Sequence, residues 1–536
     1  MVYKNRFFFG ISNQLRKIYL NSKIYDNRIS KVDNKDLLYR PSPHLLSSLI
    51  KYQKKKFKIE DFILDDIWKN KNLNKKDFAI LNNFYWFFSL DLKSSKQTTQ
   101  TVITNWIKDN SKYNDKSWNF DLTAKRIIAW LSCHHLTYED SSQDYKDSFN
   151  KIIQKQTNHL INEINKSDLI EDKLIGCASI ILVGLCYQNE RNYLSFGTSV
   201  LKKISKLTLD NYGFPKSRSV KQLILYLKYF ILIREWFKES QKNTPEHVDE
   251  TIYYLGQGYA FFCKNEGLNV LFNGNNLSKN IGFDNYLKRL GYKFKSENRE
   301  LGGYIIFNDK KISLIMDVGN TPGFNYTKDY QSGALSFEVI SNGKKLITNC
   351  GYYKKNNQKL NHLSKSSAAQ STLVIDDSSS CRFVETNKTL SVKKGLKIIK
   401  KDTIFEKNYW KIIASHDGYL KKYNSIHERE IEFFPEKMIF VGSDRIIKKK
   451  INHNYKFDIR FHLEPSVKLM KTQDNKTILI ELDGEGWKFT CDNYDININN
   501  GLYLGNKNLY NDNQNIFISG ISNNQTENIK WELKKI

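Results

Sequence analysis

Near residue 292 the spacing of apolar residues changes from a helical repeat to an alternation, and this switch restricts the possible folds more than any other feature of the chain. Before it, 122–136 carries Ile127, Ile128, Trp130 and Leu131 on one face and Lys125 and Arg126 on the other, with Asp121 placed as an N-cap. The stretch 219–237 repeats the pattern with Leu223, Leu227, Phe230, Ile231 and Trp236, and further helices are expected over 78–92, 149–164, 173–187, 193–207 and 249–264. After it, 304–307 and 312–316 flank a polar turn, and 334–340 and 345–348 flank Asn342-Gly343, a strong hairpin signal. Strand patterns recur at 371–375, 409–414, 437–441, 457–463, 477–482, 486–491 and 516–521. Helices followed by strands imply an α+β chain of two domains, 1–290 and 291–536, the first built of helical hairpins and the second a large antiparallel β-sandwich. The stretch 265–280 reads as a loop near their junction, and the Lys/Asn-rich stretch 51–76 as solvated surface.

Composition removes several classes. With 40% hydrophobic and 13% aromatic residues, the chain can bury large cores, which excludes a disordered polymer. No stretch approaches the roughly 20 apolar residues of a membrane span; 178–186 is too short. Lys4 and Arg6 precede a brief apolar run, Phe7 to Ile11, too short for a secretory core, so no signal peptide is expected. Seven dispersed cysteines without a CxxC point to free thiols rather than a disulfide framework or zinc site. The 84 Lys+Arg against 57 Asp+Glu leave a formal charge of +27, which attracts polyanions, although a Lys-, Asn- and Ile-rich composition also follows from an AT-rich genome. No RRM, zinc-finger or helix-turn-helix pattern accompanies that charge, so nucleic acid is not the expected partner.

Ordered segments along both halves resemble the heparinase II/III-like family. They include Trp118-Asn119-Phe120-Asp121, Arg126 to Leu131, Gly213-Phe214-Pro215 through Arg218-Ser219, and Leu271-Phe272-Asn273-Gly274. In the second half they include Gly333 to Glu338, Leu346 to Gly351, Ser371 to Asp376, His427-Glu428-Arg429 and Arg460 to Pro465. The resemblance implies an α/α toroid joined to a β-sandwich, and a polysaccharide lyase that cleaves uronate-containing glycans by β-elimination, with the acidic polysaccharide lying between the two parts. A non-catalytic glycan-binding relative in envelope polysaccharide assembly or remodelling is the alternative. The family's usual setting implies the cell envelope or periplasm; the missing signal leaves the cytoplasm as the other possibility.

β-Elimination needs a group that neutralises the uronate carboxylate, a base for the C5 proton and an acid for the leaving O4. Family histidine positions carry Gln331 and Gln370 here, and Asn349 stands where metal-binding members have Asp. Amides move no protons near neutral pH and are poor zinc ligands, so no cofactor or metal is expected. Tyr330, beside the lost histidine, and Tyr212, before the Gly213-Phe214-Pro215 turn, are the candidate proton-transfer groups. Arg218, Asn273, Gln331, Gln370, Arg460 and His462 are candidate substrate-binding residues. Most have a plainer alternative: turn chemistry for Tyr212, Arg218 and Asn273, loop packing for Tyr330, and a solvated or hydrogen-bonded strand face for Arg460 and His462. His416 and His427 match non-catalytic family positions, the adjacent His134 and His135 make a poor metal pair, and core packing is the default for Trp86, Trp106, Trp118 and Trp130.

Overall fold

The structure, a computed structural model, describes residues 14–32, 36–47, 49, 68, 73–90, 96–187, 192–263, 270–276, 281–309, 311–354, 357–386, 389–450, 454–506 and 510–536. The amino-terminal run, most of 51–76 and the first part of the 265–280 loop lie outside these residues. The described chain is helical up to Arg289 and, apart from two short α-helices and two single 3-10 turns, stranded after it. Two compact units are formed. One comprises Met1–Leu207, Leu225–Tyr253 and Gly282–Gly291; the other comprises Thr208–Ile224, Tyr254–Ile281 and Tyr292–Ile536. The expected single cut at 290/291 differs from this division: the described residues of 208–224 and 254–281 group with the strands, to which Arg218 and Leu271 are hydrogen-bonded.

In the first unit, helix Phe120–Ser132 packs against Lys75–Asn83, Gln143–Glu163 and Ile170–Cys186. It is buried nearly all round, which explains its apolar composition. Asp121 is not its N-cap. Asn119 occupies that position, and Asp121 lies in the first turn, near the positive end of the helix, paired to Lys125 at 2.6 Å. The chain turns after Ser132 into a separate short helix, His134–Thr137. Trp106, Trp118 and Trp130 are core residues, with Trp106 and Trp130 edge-to-face at 5.5 Å. Buried Arg126 lies over the Trp106 ring and donates to the backbone carbonyls of Asn82 and Ser117. Among the described residues, no helix is long and apolar enough to cross a membrane.

The second unit contains two antiparallel sheets over one apolar core. The nine-stranded sheet runs Glu300–Leu301, Tyr304–Asn308, Ile312–Asp317, Phe337–Ser341, Lys344–Thr348, Tyr455–Leu463, Asn511–Ser522 and Ile496–Tyr503, with Leu373–Ile375 also paired to Tyr455–Leu463. The eight-stranded sheet runs Lys468–Lys471, Thr477–Leu482, Glu485–Thr490, Thr526–Lys535, Ile439–Lys448, Ser425–Phe434, Tyr409–His416 and Ile398–Glu406. Side chains alternate across a strand, so each sheet sends every second residue inward. Phe337 and Phe461 of the first sheet meet Trp531 of the second, with the Phe337 and Trp531 rings stacked at 5.6 Å. A two-stranded hairpin, Arg382–Thr386 with Thr389–Lys394, stands apart from both sheets. The six cysteines whose side chains are described are free and buried.

Candidate functional site

An open groove of about 980 Å³ lies within the second unit. The turn at 210–218, the start of Glu300–Leu301, the loop 318–326 and the first residues of the edge strand Ile398–Glu406 line it. The Asp210 carboxylate shapes the turn by accepting the N–H groups of Tyr212 and Phe214, each at 2.9 Å. Tyr212 consequently projects outward and is 73% exposed on the groove wall. Four cationic side chains, Lys216, Arg218, Lys400 and Lys401, line the groove against two acidic ones, Asp210 and Glu300.

Arg218 lies at the floor and is spent there. Its guanidinium donates to the carbonyls of Gly302 and Gly303 at 2.9 Å, to that of Gly319 at 3.3 Å, and to Asp317 Oδ1 at 2.6 Å. Its Cζ is 4.7 Å from the Tyr304 ring centre. Burial alone would lower the Arg218 pKa, but Asp317 and the neighbouring tyrosines outweigh it, so the group stays charged. A pinned guanidinium of this kind organises the groove floor and has little donor capacity left for a ligand.

The other buried candidates form a network behind that floor. Asn273 donates to the Tyr304 hydroxyl, which in turn donates to the Arg218 carbonyl at 2.7 Å. Asn273 Oδ1 accepts the Gln331 N–H at 3.1 Å. Gln331 Oε1 accepts the Gly274 N–H, and its amide nitrogen donates to the carbonyls of Gly351 and Ser364. Gln370 donates to the same Ser364 carbonyl at 3.2 Å. Tyr330 is 1% exposed in a cluster with Ala334, Cys381, Val392 and Leu396, and its hydroxyl lies 3.4 Å from Thr321 Oγ1. Burial pushes its pKa well above the usual phenol value, which opposes a role as base. Of the residues singled out in the sequence, the structure therefore places Tyr212 and Arg218 in the groove and leaves Tyr330, Asn273, Gln331 and Gln370 beneath it.

Arg460 and His462 do not line the groove. They take up the hydrogen-bonded arrangement of the plainer alternative. His462 Nε2 is 3.0 Å from the Ala368 carbonyl, burial lowers its pKa to about 4, and Arg460 pairs with Asp458 at 3.3 Å. His416 and His427 lie between the sheets in a chain of hydrogen bonds. The Gly418 N–H donates to His416 Nδ1, which leaves His416 Nε2–H to donate to His427 Nδ1 and His427 Nε2–H to donate to Asp444. Arg429 completes the chain with a forked pair to Asp444. These histidines are structural. Lys216, Lys400 and Lys401 escaped sequence reasoning because single lysines carry no motif in so lysine-rich a chain, and the stretch 398–406 lacks a clean alternation.

Residues 295–532 match the family described as Heparinase II/III-like, C-terminal. This part of the chain is similar to that domain. Similarity in fold extends much further than the domain. A mutant of the heparan sulfate lyase HepC from Pedobacter heparinus aligns over 95% of this chain and 85% of its own, with a TM-score of 0.68 and 14% identity. Heparinase III aligns over 96% of this chain and 88% of its own, with a TM-score of 0.66 and 14% identity. No curated protein matches the chain. The fold class expected from the resemblance, an α/α toroid followed by an antiparallel β-sandwich, is the fold of this protein.

The zinc of metal-binding heparinase II/III-like members does not fit the residues here. Asn349 Oδ1 accepts the Ser371 N–H at 2.9 Å, and its amide nitrogen faces Glu338. Glu338 itself is taken up by Lys345, Thr348 and the Leu271 N–H. Among the described residues, no group of three or more His, Cys, Asp or Glu is placed to hold a metal ion.

Proposed function

We propose that the protein is polysaccharide-lyase-like and takes uronate-containing, acidic glycan along the groove of its second unit. The observation that carries this reading is the groove's composition: an exposed tyrosine, Tyr212, beside three lysines, over a floor locked by Arg218 and Asp317. In a β-elimination, Lys216, Lys400 and Lys401 would neutralise the uronate carboxylate. Tyr212, exposed on the groove wall beside these lysines, would move the proton at C5 or O4. Arg218, Asn273, Gln331 and Gln370 hold the floor in shape and touch no glycan. A similar fold in a heparan sulfate lyase supports the polysaccharide class, and a place in the cell envelope belongs to the same proposal.

A second reading, glycan binding without cleavage in envelope polysaccharide assembly or remodelling, draws on a specific observation. Both family histidine positions are glutamines already committed to backbone partners, and Tyr330 beside them is buried. One experiment separates the two readings. The protein is incubated with a panel of uronate polymers while ultraviolet absorbance of the unsaturated uronide is followed. Product that disappears in Tyr212→Phe and persists in Tyr330→Phe establishes the lyase reading. Measurable binding without product from any polymer establishes the second. Absence of both binding and product removes the glycan reading altogether.

A further inference from the structure

Glu300 and Lys401 face each other across the edges of the two sheets. Glu300 opens the first strand of the nine-stranded sheet and is held by pairing with Ile305. Lys401 lies on the edge strand of the eight-stranded sheet, opposite Ala414. Their charged ends meet at 2.5 Å, and both side chains, 42% and 36% exposed, line the groove. Arg299, the neighbour of Glu300, packs its guanidinium 3.6 Å from the Phe405 ring centre on the same edge strand, which fixes the two backbones side by side.

The remaining groove charges differ in kind. Asp210 is occupied by two turn N–H groups, and Arg218 is buried against Asp317. Lys400 is paired with Glu428, which does not line the groove. Among the described residues, Glu300 is a groove-lining acid that spends its charge on a groove-lining lysine. It also has the charge sign of the ligand under the reading above. A glycan carboxylate reaching Lys401 must displace Glu300 and tolerate its repulsion, whereas a neutral glycan meets neither obstacle.

We propose that Glu300 is a specificity-determining residue of this groove: it acts as an internal competitor that occupies Lys401 until an acidic glycan replaces it. The inference rests on the acidic-glycan reading and deepens it. An exposed ion pair contributes little to folding, so the variants below keep the fold. Such a pair, once displaced, returns a modest gain in affinity that weakens with salt.

The test titrates wild type, Glu300→Gln, Lys401→Met and the double variant with polygalacturonate oligomers, and in parallel with neutral glucan oligomers, by calorimetry at low and high salt. Glu300→Gln is expected to bind the acidic oligomers about five-fold more tightly at low salt, from the small energies of exposed pairs. The gain should shrink at high salt, vanish in the double variant, and leave neutral oligomers unaffected. Unchanged or weaker binding by Glu300→Gln, with clear wild-type binding, overturns the competitor role and leaves the glycan reading standing. Binding by Glu300→Gln alone supports the role in its strongest form. No binding of acidic oligomers by any variant overturns both.

Discussion

Arg218 shows how a residue that looks like a ligand can be an anchor. It adopts a left-handed backbone, φ 61°, costly for a side chain with a Cβ, and the contacts of its guanidinium hold it there. Replacing it with Met leaves Asp317 charged and buried, so denaturant unfolding should show a loss of about 3–5 kcal/mol. Lys at this position should recover little of that loss, because an ammonium cannot fork among the carbonyls and Asp317. His462 yields a pH prediction. Its ordinary pKa of 6.5 falls to about 4 through burial, so the native state holds the neutral ring. A depressed histidine contributes stability that is complete above 6.5 and is lost as pH falls toward about 4. The full loss amounts to roughly 3 kcal/mol. Unfolding free energies measured across that window should decline in wild type and decline less in His462→Gln.

At the scale of elements, local chemistry was legible wherever a signal was both strong and local. The Asn342-Gly343 turn appears where expected, joining Phe337–Ser341 to Lys344–Thr348, with both turn residues at positive φ. A Cβ on Gly343 meets open space, so Gly343→Ala should cost only its backbone strain, about 1 kcal/mol, readable as a lower Tm. Gly319 presents the opposite case. A Cβ there would lie 2.3 Å from Arg218 Cζ, so Gly319→Ala should dislodge the guanidinium and cost about 1–3 kcal/mol. Because the floor of the groove moves with Arg218, glycan affinity should fall in the same variant, which separates it from Gly343→Ala. The strands Ile398–Glu406, Ser425–Phe434 and Thr526–Lys535 were not legible. In them, charged residues occur where the sheet is half-exposed or where ion pairs such as Arg445 with Glu428 satisfy them. Alternation of hydropathy then no longer reports the strand.

At the scale of the whole molecule, a net charge of +27 predicts that binding of acidic polymers weakens as salt rises, even away from the groove. A Lys216→Met/Lys400→Met/Lys401→Met variant should lose groove binding while keeping a residual, steeply salt-dependent component, and filter-binding at several salt concentrations resolves the two. Class and order of structure were written in the chain itself, because the period of apolar residues is imposed by backbone geometry and needs no partner: helices to about 290 and paired strands beyond. Folding alone decided which candidates meet. Tyr330 is withdrawn into an apolar cluster, and Arg218 is consumed by carbonyls about a hundred residues away in sequence. Those outcomes depend on long-range burial and hydrogen bonding, which no spacing along one strand or helix encodes.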